Sequence, residues 1–204
     1  MKLNALSALF IVLLGVPRGG FAFSLKSGDI LLQSTECYLC SLIEAEENSP
    51  YSHLGVVVVE PSGVSVLEAW QNVERVSLDD FLKTRKGGSR TLVLRPFAFE
   101  SATTPIQARD LLAVFERDFD GKHYDGDFLW NNSDERGEKY YCSEFAAKFL
   151  DLFLPSPIPT KAMHYRIHRD EWIKYFRGNP PDGLPGISPG DFERSPLFDH
   201  VGWI

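Results

Sequence analysis

Tyr140-Tyr141-Cys142-Ser143-Glu144-Phe145 stands where a polar, glycine-bearing segment gives way to an apolar helical pattern. From Cys142 onward, Phe145, Ala146, Phe149 and Phe153 recur at spacings of three and four, so they share one face of a helix that Pro155 and Pro157 end. A thiol at a helix start lies among unpaired backbone N–H groups at the positive end of the macrodipole, which favours thiolate. Cys142 is therefore a candidate nucleophile.

Upstream, residues 120–141 carry Gly121, Gly126, Gly137 and many charges, and are expected as a long loop. Before them, Thr103-Thr104-Pro105 reads as a hydroxyl cap with proline in the first turn of a helix, with Ile106, Leu111, Leu112, Val114 and Phe115 on its apolar face. Short strands are expected over 28–33 and 90–95, a capped helix over 35–46, and a short helix from Ser77 to about Lys83. The valine-dense run from His53 to Glu60, the turn Pro61-Ser62-Gly63 and the run 64–70 read as a hairpin. The tail is expected to hold one helix near 170–176 and then proline-rich coil.

The hairpin supplies the partners that a cysteine nucleophile needs. With Glu60 opposite Gly63, His53 and Glu68 fall on one face as diagonal neighbours, about 7–8 Å apart at the backbone and within side-chain reach. A one-residue slip would send Glu68 to the opposite face. In that register His53 is the candidate base and Glu68 the carboxylate that orients it. Singly, each has a plainer reading: a small buried hydrophobe, a satisfied polar residue, a solvent-facing strand position. Their joint occurrence carries the argument.

Lys2, an apolar stretch over residues 5–16 and the small residues Gly20 and Ala22 read as an export signal cleaved after Ala22. That stretch falls short of the roughly 20 residues needed to span a bilayer. Residues 1–22 are thus expected as signal peptide and 23–204 as a single domain, secreted or periplasmic, without a transmembrane anchor. The net charge of −7 becomes more negative once Lys2 and Arg18 are removed, which argues against a nucleic-acid partner. Nothing in the sequence sets an oligomeric state.

Of the three cysteines, Cys37 and Cys40 are one helical turn apart and admit a disulfide, two half-buried thiols or a redox dithiol. A zinc site built from Cys37, Cys40, His53 and Cys142 lacks a second close ligand pair, so neither metal nor cofactor is expected.

Gly28-Asp29-Ile30-Leu31, Tyr51-Ser52-His53-Leu54-Gly55, Leu67-Glu68-Ala69, Gly121-Lys122-His123-Tyr124-Asp125, Tyr141-Cys142-Ser143-Glu144-Phe145 and the closing Ser195-Pro196-Leu197-Phe198 together resemble the circularly permuted, papain-like cysteine hydrolases of the YiiX type, within the NlpC superfamily. The resemblance runs from about residue 26 to the C-terminus. It implies an α+β, permuted papain-like fold: an antiparallel sheet or partial barrel packed against the cysteine-bearing helix. It also implies Cys142 as nucleophile, His53 as base, Glu68 as third member and Tyr124 near the oxyanion site. His123 departs from the pattern, which tends to carry proline there. The expected function is an exported hydrolase that cuts an amide through an acyl-enzyme, with peptide or acyl-amide substrates and peptidoglycan peptide as the leading choice. A lipid acyl hydrolase or acyltransferase and a non-catalytic binding module are the alternatives.

Overall fold

The structure is a computed structural model that describes residues 23–102 and 106–204. The expected signal segment, 1–22, and the cap Thr103-Thr104-Pro105 lie outside these residues. Six strands form one antiparallel sheet: β1 (Ile30–Gln33), β2 (His53–Glu60), β3 (Gly63–Ala69), β4 (Val73–Ser77), β5 (Leu92–Pro96) and β10 (Phe198–Trp203), in the order β10-β5-β1-β2-β3-β4. Its edges, β10 and β4, are not paired with each other, so the sheet is open rather than closed into a barrel.

Strand parity sorts the core. Leu54, Val56 and Val58 of β2 join Ile30, Leu32, Leu67 and Leu94 in the large core, which also takes Phe145, Phe149 and Phe115 from helices α5 (Cys142–Asp151) and α4 (Ala108–Asp118). Leu31, Val57, Val66 and Val93 pack a smaller cluster on Phe81 of α2 (Leu78–Lys83). Burial on both faces explains why β2 reads as a continuous apolar run rather than an alternation. α5 packs across β2 and β3, which brings its first turn toward the sheet end where β2 starts.

Helix α1 (Tyr38–Glu47) begins later than expected. Its cap is Cys37, whose sulfur accepts from the Cys40 backbone N–H, rather than a Ser or Thr hydroxyl. Ile106, expected inside α4, precedes that helix and still packs on the core, while Phe153 lies just beyond the C-cap of α5. A short α3 (Phe97–Ser101) follows β5. Segment 120–141 is more ordered than its composition announces: Ser133–Asp134 (β6) pairs with Gly137–Glu138 (β7), and bridges join Asn72 to His123 and Tyr124 to Tyr140.

The tail departs most from expectation. After α6 (Arg169–Tyr175) and the two-residue ladder of Lys161–Ala162 (β8) with Pro185–Gly186 (β9), Ser188 and Asp191 form a capping box that starts α7 (Pro189–Arg194). β10 then adds to the edge of β5, with a bulge between His200 and Gly202.

Candidate active site

The hairpin register places the first two groups. Glu60 faces Gly63 and Gly55 faces Glu68, so His53, two residues before Gly55, shares the Glu68 face. His53 Nε2 and Glu68 Oε2 are 2.5 Å apart, and both side chains are buried. Phe81 lies against the imidazole at 5.5 Å between centroids, and Trp70 meets it edge-on at 4.9 Å. Gly55 makes room for this packing, because a Cβ there would lie 2.4 Å from Val66 Cγ1 and 3.0 Å from the Phe81 ring.

Cys142 is the first residue of α5, buried and outside any disulfide. Tyr141, the N-cap residue, makes no side-chain cap bond, so the first amides of the helix are not capped from that side chain. Because Glu68 engages Nε2 of His53, Nδ1 is the ring nitrogen left to meet the sulfur. Burial is the largest influence on the imidazole and by itself lowers its pKa. Hydrogen bonds to Cys142 and to Glu68, with the negative charge of both, outweigh burial and push the value up from 6.5 to about 9. The structure thus brings together the three residues the sequence singled out, with the imidazole held as a cation.

Tyr124 is partly buried and borders the same cavity as His53 and Cys142. Burial first, and then the charge of Cys142, hold its hydroxyl protonated well above the usual phenol range. Asp125 fixes the chain beside it: fully buried, it accepts from the Leu129 N–H at 2.8 Å and the Asn132 side-chain amide at 2.8 Å, and pairs with Lys139 at 3.2 Å. His123 turns to Asp134, with Nδ1 2.6 Å from Oδ2, and borders neither cavity that reaches Cys142.

Two cavities meet at Cys142. One, of about 180 Å³, is bounded by His53, Trp70, Tyr124, Ser52 and the Cys37/Cys40 pair. The other, of about 40 Å³, lies past Tyr141 and Ser143 toward Tyr165 and Trp172. Ser143 Oγ donates to the Ile187 carbonyl at 2.8 Å and the Ile187 N–H donates to the Tyr141 hydroxyl at 3.1 Å, which clamps the start of α5 to the tail.

Sequence reasoning missed Trp70, although the pairing that sets Glu68 also sets position 70 opposite 53. It also missed Glu144, whose carboxylate ties the loop to α5 by accepting from the Asn131 N–H at 3.0 Å and from Lys148 at 2.8 Å. Burial pushes the Glu144 carboxyl up to about 7 against the pull of Lys148 and Asn131. Cys37 and Cys40 are joined as a disulfide, which withdraws both sulfurs from the zinc site considered above. Among the described residues, His123, Asp134 and Glu135 form the one group of three or more His, Cys, Asp or Glu with ligand atoms within 4.8 Å of one another.

A family model described as permuted papain-like amidase enzyme, YaeF/YiiX, C92 family, matches residues 24–201. The uncharacterized protein YiiX of Escherichia coli strain K12 is 29% identical over 193 residues, spanning 95% of this chain and 86% of its own length. The crystal structure of metalloprotein yiiX from Escherichia coli O157:H7 shares the fold, with a TM-score of 0.73 and 24% identity over 87% of this chain and 96% of that one. The chain belongs to the permuted papain-like amidases of the YaeF/YiiX, C92 family, and is a cysteine hydrolase of that α+β fold.

Proposed function

We propose that Cys142, His53 and Glu68 are the catalytic residues of an exported amidase that cuts peptide amides of the cell wall through an acyl-enzyme. The observation that carries this reading is the buried row of sulfur, imidazole and carboxylate, with the imidazole pKa pushed up to about 9. At neutral pH such an imidazolium stabilises the thiolate, which attacks the amide carbon. The oxyanion that forms is held by the Cys142 backbone N–H at the helix start and by the Tyr124 hydroxyl. His53 then gives its proton to the departing amine as the C–N bond breaks, leaving a thioester on Cys142. Water, deprotonated by His53, attacks the thioester and releases the acid and the thiolate. Glu68 stabilises the imidazolium and fixes the ring so that Nδ1 faces sulfur.

Export is supported by the pattern of residues 1–22 and by the Cys37–Cys40 disulfide, which persists in an oxidising compartment. Among the described residues no helix is long and apolar enough to cross a membrane. The E. coli O157:H7 relative is titled a metalloprotein. Here His123, Asp134 and Glu135 border neither cavity at Cys142, and His123 is already paired with Asp134, so these residues do not fit a metal acting in the cleavage and no step is routed through one.

A substrate panel tests the reading. Release of short peptides from purified wall fragments by the wild type, with none from Cys142→Ala, is the expected result. Lipid deacylation or acyl transfer with inert peptides would replace the substrate assignment. Absence of any Cys142-dependent turnover, with no alkylation of Cys142 by iodoacetamide below the free-thiol pKa of about 8.5, would leave a binding module.

A further inference from the structure

The Cys37–Cys40 bridge has no part in the mechanism above, yet it borders the same cavity as Cys142 and His53. Under the roles proposed there, His53 protonates the departing nitrogen, so the amine side of the substrate lies in that cavity, of about 180 Å³. Leu39, Ile43, Trp70, Tyr124 and the two bridged cysteines wall it, and among the described residues no lysine, arginine or carboxylate borders it. An apolar group placed against such walls leaves water favourably.

Three of those walls, Cys37, Leu39 and Cys40, belong to the start of α1, and the two ends of that helix are held differently. Toward the C-terminal end, Glu44 accepts from the Ser34 and Ser52 hydroxyls at 2.5 and 2.8 Å. Glu46 accepts from the Arg166 and Ile167 N–H groups at 2.7 and 2.6 Å, and Glu47 pairs with Arg194 at 3.1 Å. The first turn carries no acidic residue, and its cap is the Cys37 sulfur, which accepts from the Cys40 N–H at 3.1 Å. A further tether, from the Tyr38 hydroxyl to Glu171, is an exposed bond that water can replace. The bridge is thus the main hold on the turn that faces the cavity. Cys40 is 3% exposed, whereas Cys37 is open to solvent and to reagents. His53 does not depend on the bridge: Glu68 holds its ring, and its strand pairs with Gln33 of β1.

We propose, resting on those catalytic roles, that the Cys37–Cys40 bridge is a specificity-determining wall of the amine-side subsite, holding the first turn of α1 against an apolar residue on the leaving amine. Opening the bridge releases that turn and weakens the preference, while Cys142, His53 and Glu68 keep their places.

The test uses the full chain and measures where the acyl-enzyme goes, so that the amount of active protein cancels. The para-nitrophenyl esters of N-acetylglycine and of octanoate load Cys142, and Leu amide or Gly amide then competes with water for the acyl group from the amine side. Leu amide should be acylated at least about tenfold more efficiently than Gly amide, as burial of its side chain would give. The bridge is opened in two ways: by a phosphine, removed before assay, and by the variant Cys37→Ser/Cys40→Ser. In the first, the oxygen of water goes to phosphorus and its hydrogens to the two sulfurs, leaving a phosphine oxide and two thiols. Each should lower the Leu-to-Gly ratio about threefold or more, the contact of roughly one methylene group, without abolishing hydrolysis. The reduced wild type carries the test should the double variant not fold. Equal capture of the two amides, or a ratio unchanged by opening the bridge, overturns the wall and leaves the nucleophile in place. Loss of hydrolysis together with the preference makes the bridge a support of the fold, which overturns it equally. Absence of Cys142-dependent nitrophenol release from both esters sinks the catalytic roles, and the wall with them.

Discussion

At the scale of single residues, the raised pKa of His53 bears on stability and, under the proposed catalytic roles, on chemistry. With its pKa near 9, the pair with Cys142 should keep the thiol reactive through neutral pH and lose activity as pH rises through about 9. A pH profile of turnover should place its basic limb there. Glu68→Gln withdraws one of the two charges that raise the imidazole, so the limb should move downward and turnover should fall by about 100-fold or more. Linkage gives the stability terms. A histidine raised from 6.5 to about 9 contributes stability that is complete below 6.5 and is lost as pH rises through 9. Glu144, raised from 4.5 to about 7, binds its proton more tightly folded than unfolded, so stability also falls as pH rises from 4.5 to 7, by something on the order of 3 kcal/mol. Urea midpoints at pH 4.5, 7 and 9 should decline in two steps, and Glu144→Gln should flatten the first while leaving the second.

At the scale of elements, the β2–β3 hairpin does the positioning. Its parity puts His53, Gly55, Glu68 and Val57 on the Phe81 face, and Gly55 is the gap into which Phe81 fits beside the imidazole. Gly55→Ala should cost about 1–3 kcal/mol by overpacking, read as a lowered denaturation midpoint, and should move the basic limb of activity because His53 packs on the same ring. This register was legible in the sequence, since the turn Pro61-Ser62-Gly63 leaves few ways to close the hairpin. Helix α5 was legible too, from its phenylalanine spacing. β10 was not: Asp199-His200-Val201-Gly202 has little strand propensity, and it becomes a strand because β5 offers an open edge. The Cys37 cap of α1 was equally hidden, since a disulfide sulfur accepting from a backbone amide has no composition signature.

At the scale of the molecule, the Gly-Asp motif at the start of β1 is structural. Asp29 is buried and receives Arg95 in a two-pronged pair, Nε to Oδ1 at 2.7 Å and a second guanidinium nitrogen to Oδ2 at 2.8 Å, and so locks β1 to β5. Asp29→Ala would remove the two-pronged partner of the buried Arg95 cation and leave it only Glu100 at 3.4 Å and the Ser24 carbonyl at 3.0 Å, which should cost about 3 kcal/mol, measured by urea unfolding, with the pH profile of the remaining folded enzyme unchanged. The tail is part of the same frame: Arg194 pairs with Glu47 of α1, and Tyr141 and Ser143 are clamped by Ile187. The C-terminal quarter therefore builds one wall of the smaller cavity, although beyond the helix near 170–176 its sequence reads as proline-rich coil.

Local chemistry alone determined the helix that starts at Cys142, the hairpin and its register, and the shared face of His53 and Glu68, because side-chain periodicity and turn length act over neighbouring residues. Only the tertiary structure decided that the sulfur meets the imidazole, that Phe81 of α2 packs against the ring, and that Tyr165 and Trp172 close a cavity beside Cys142. Those contacts join segments far apart in the chain, and the hydrogen bonds that keep the imidazole charged against burial are properties of the packed molecule.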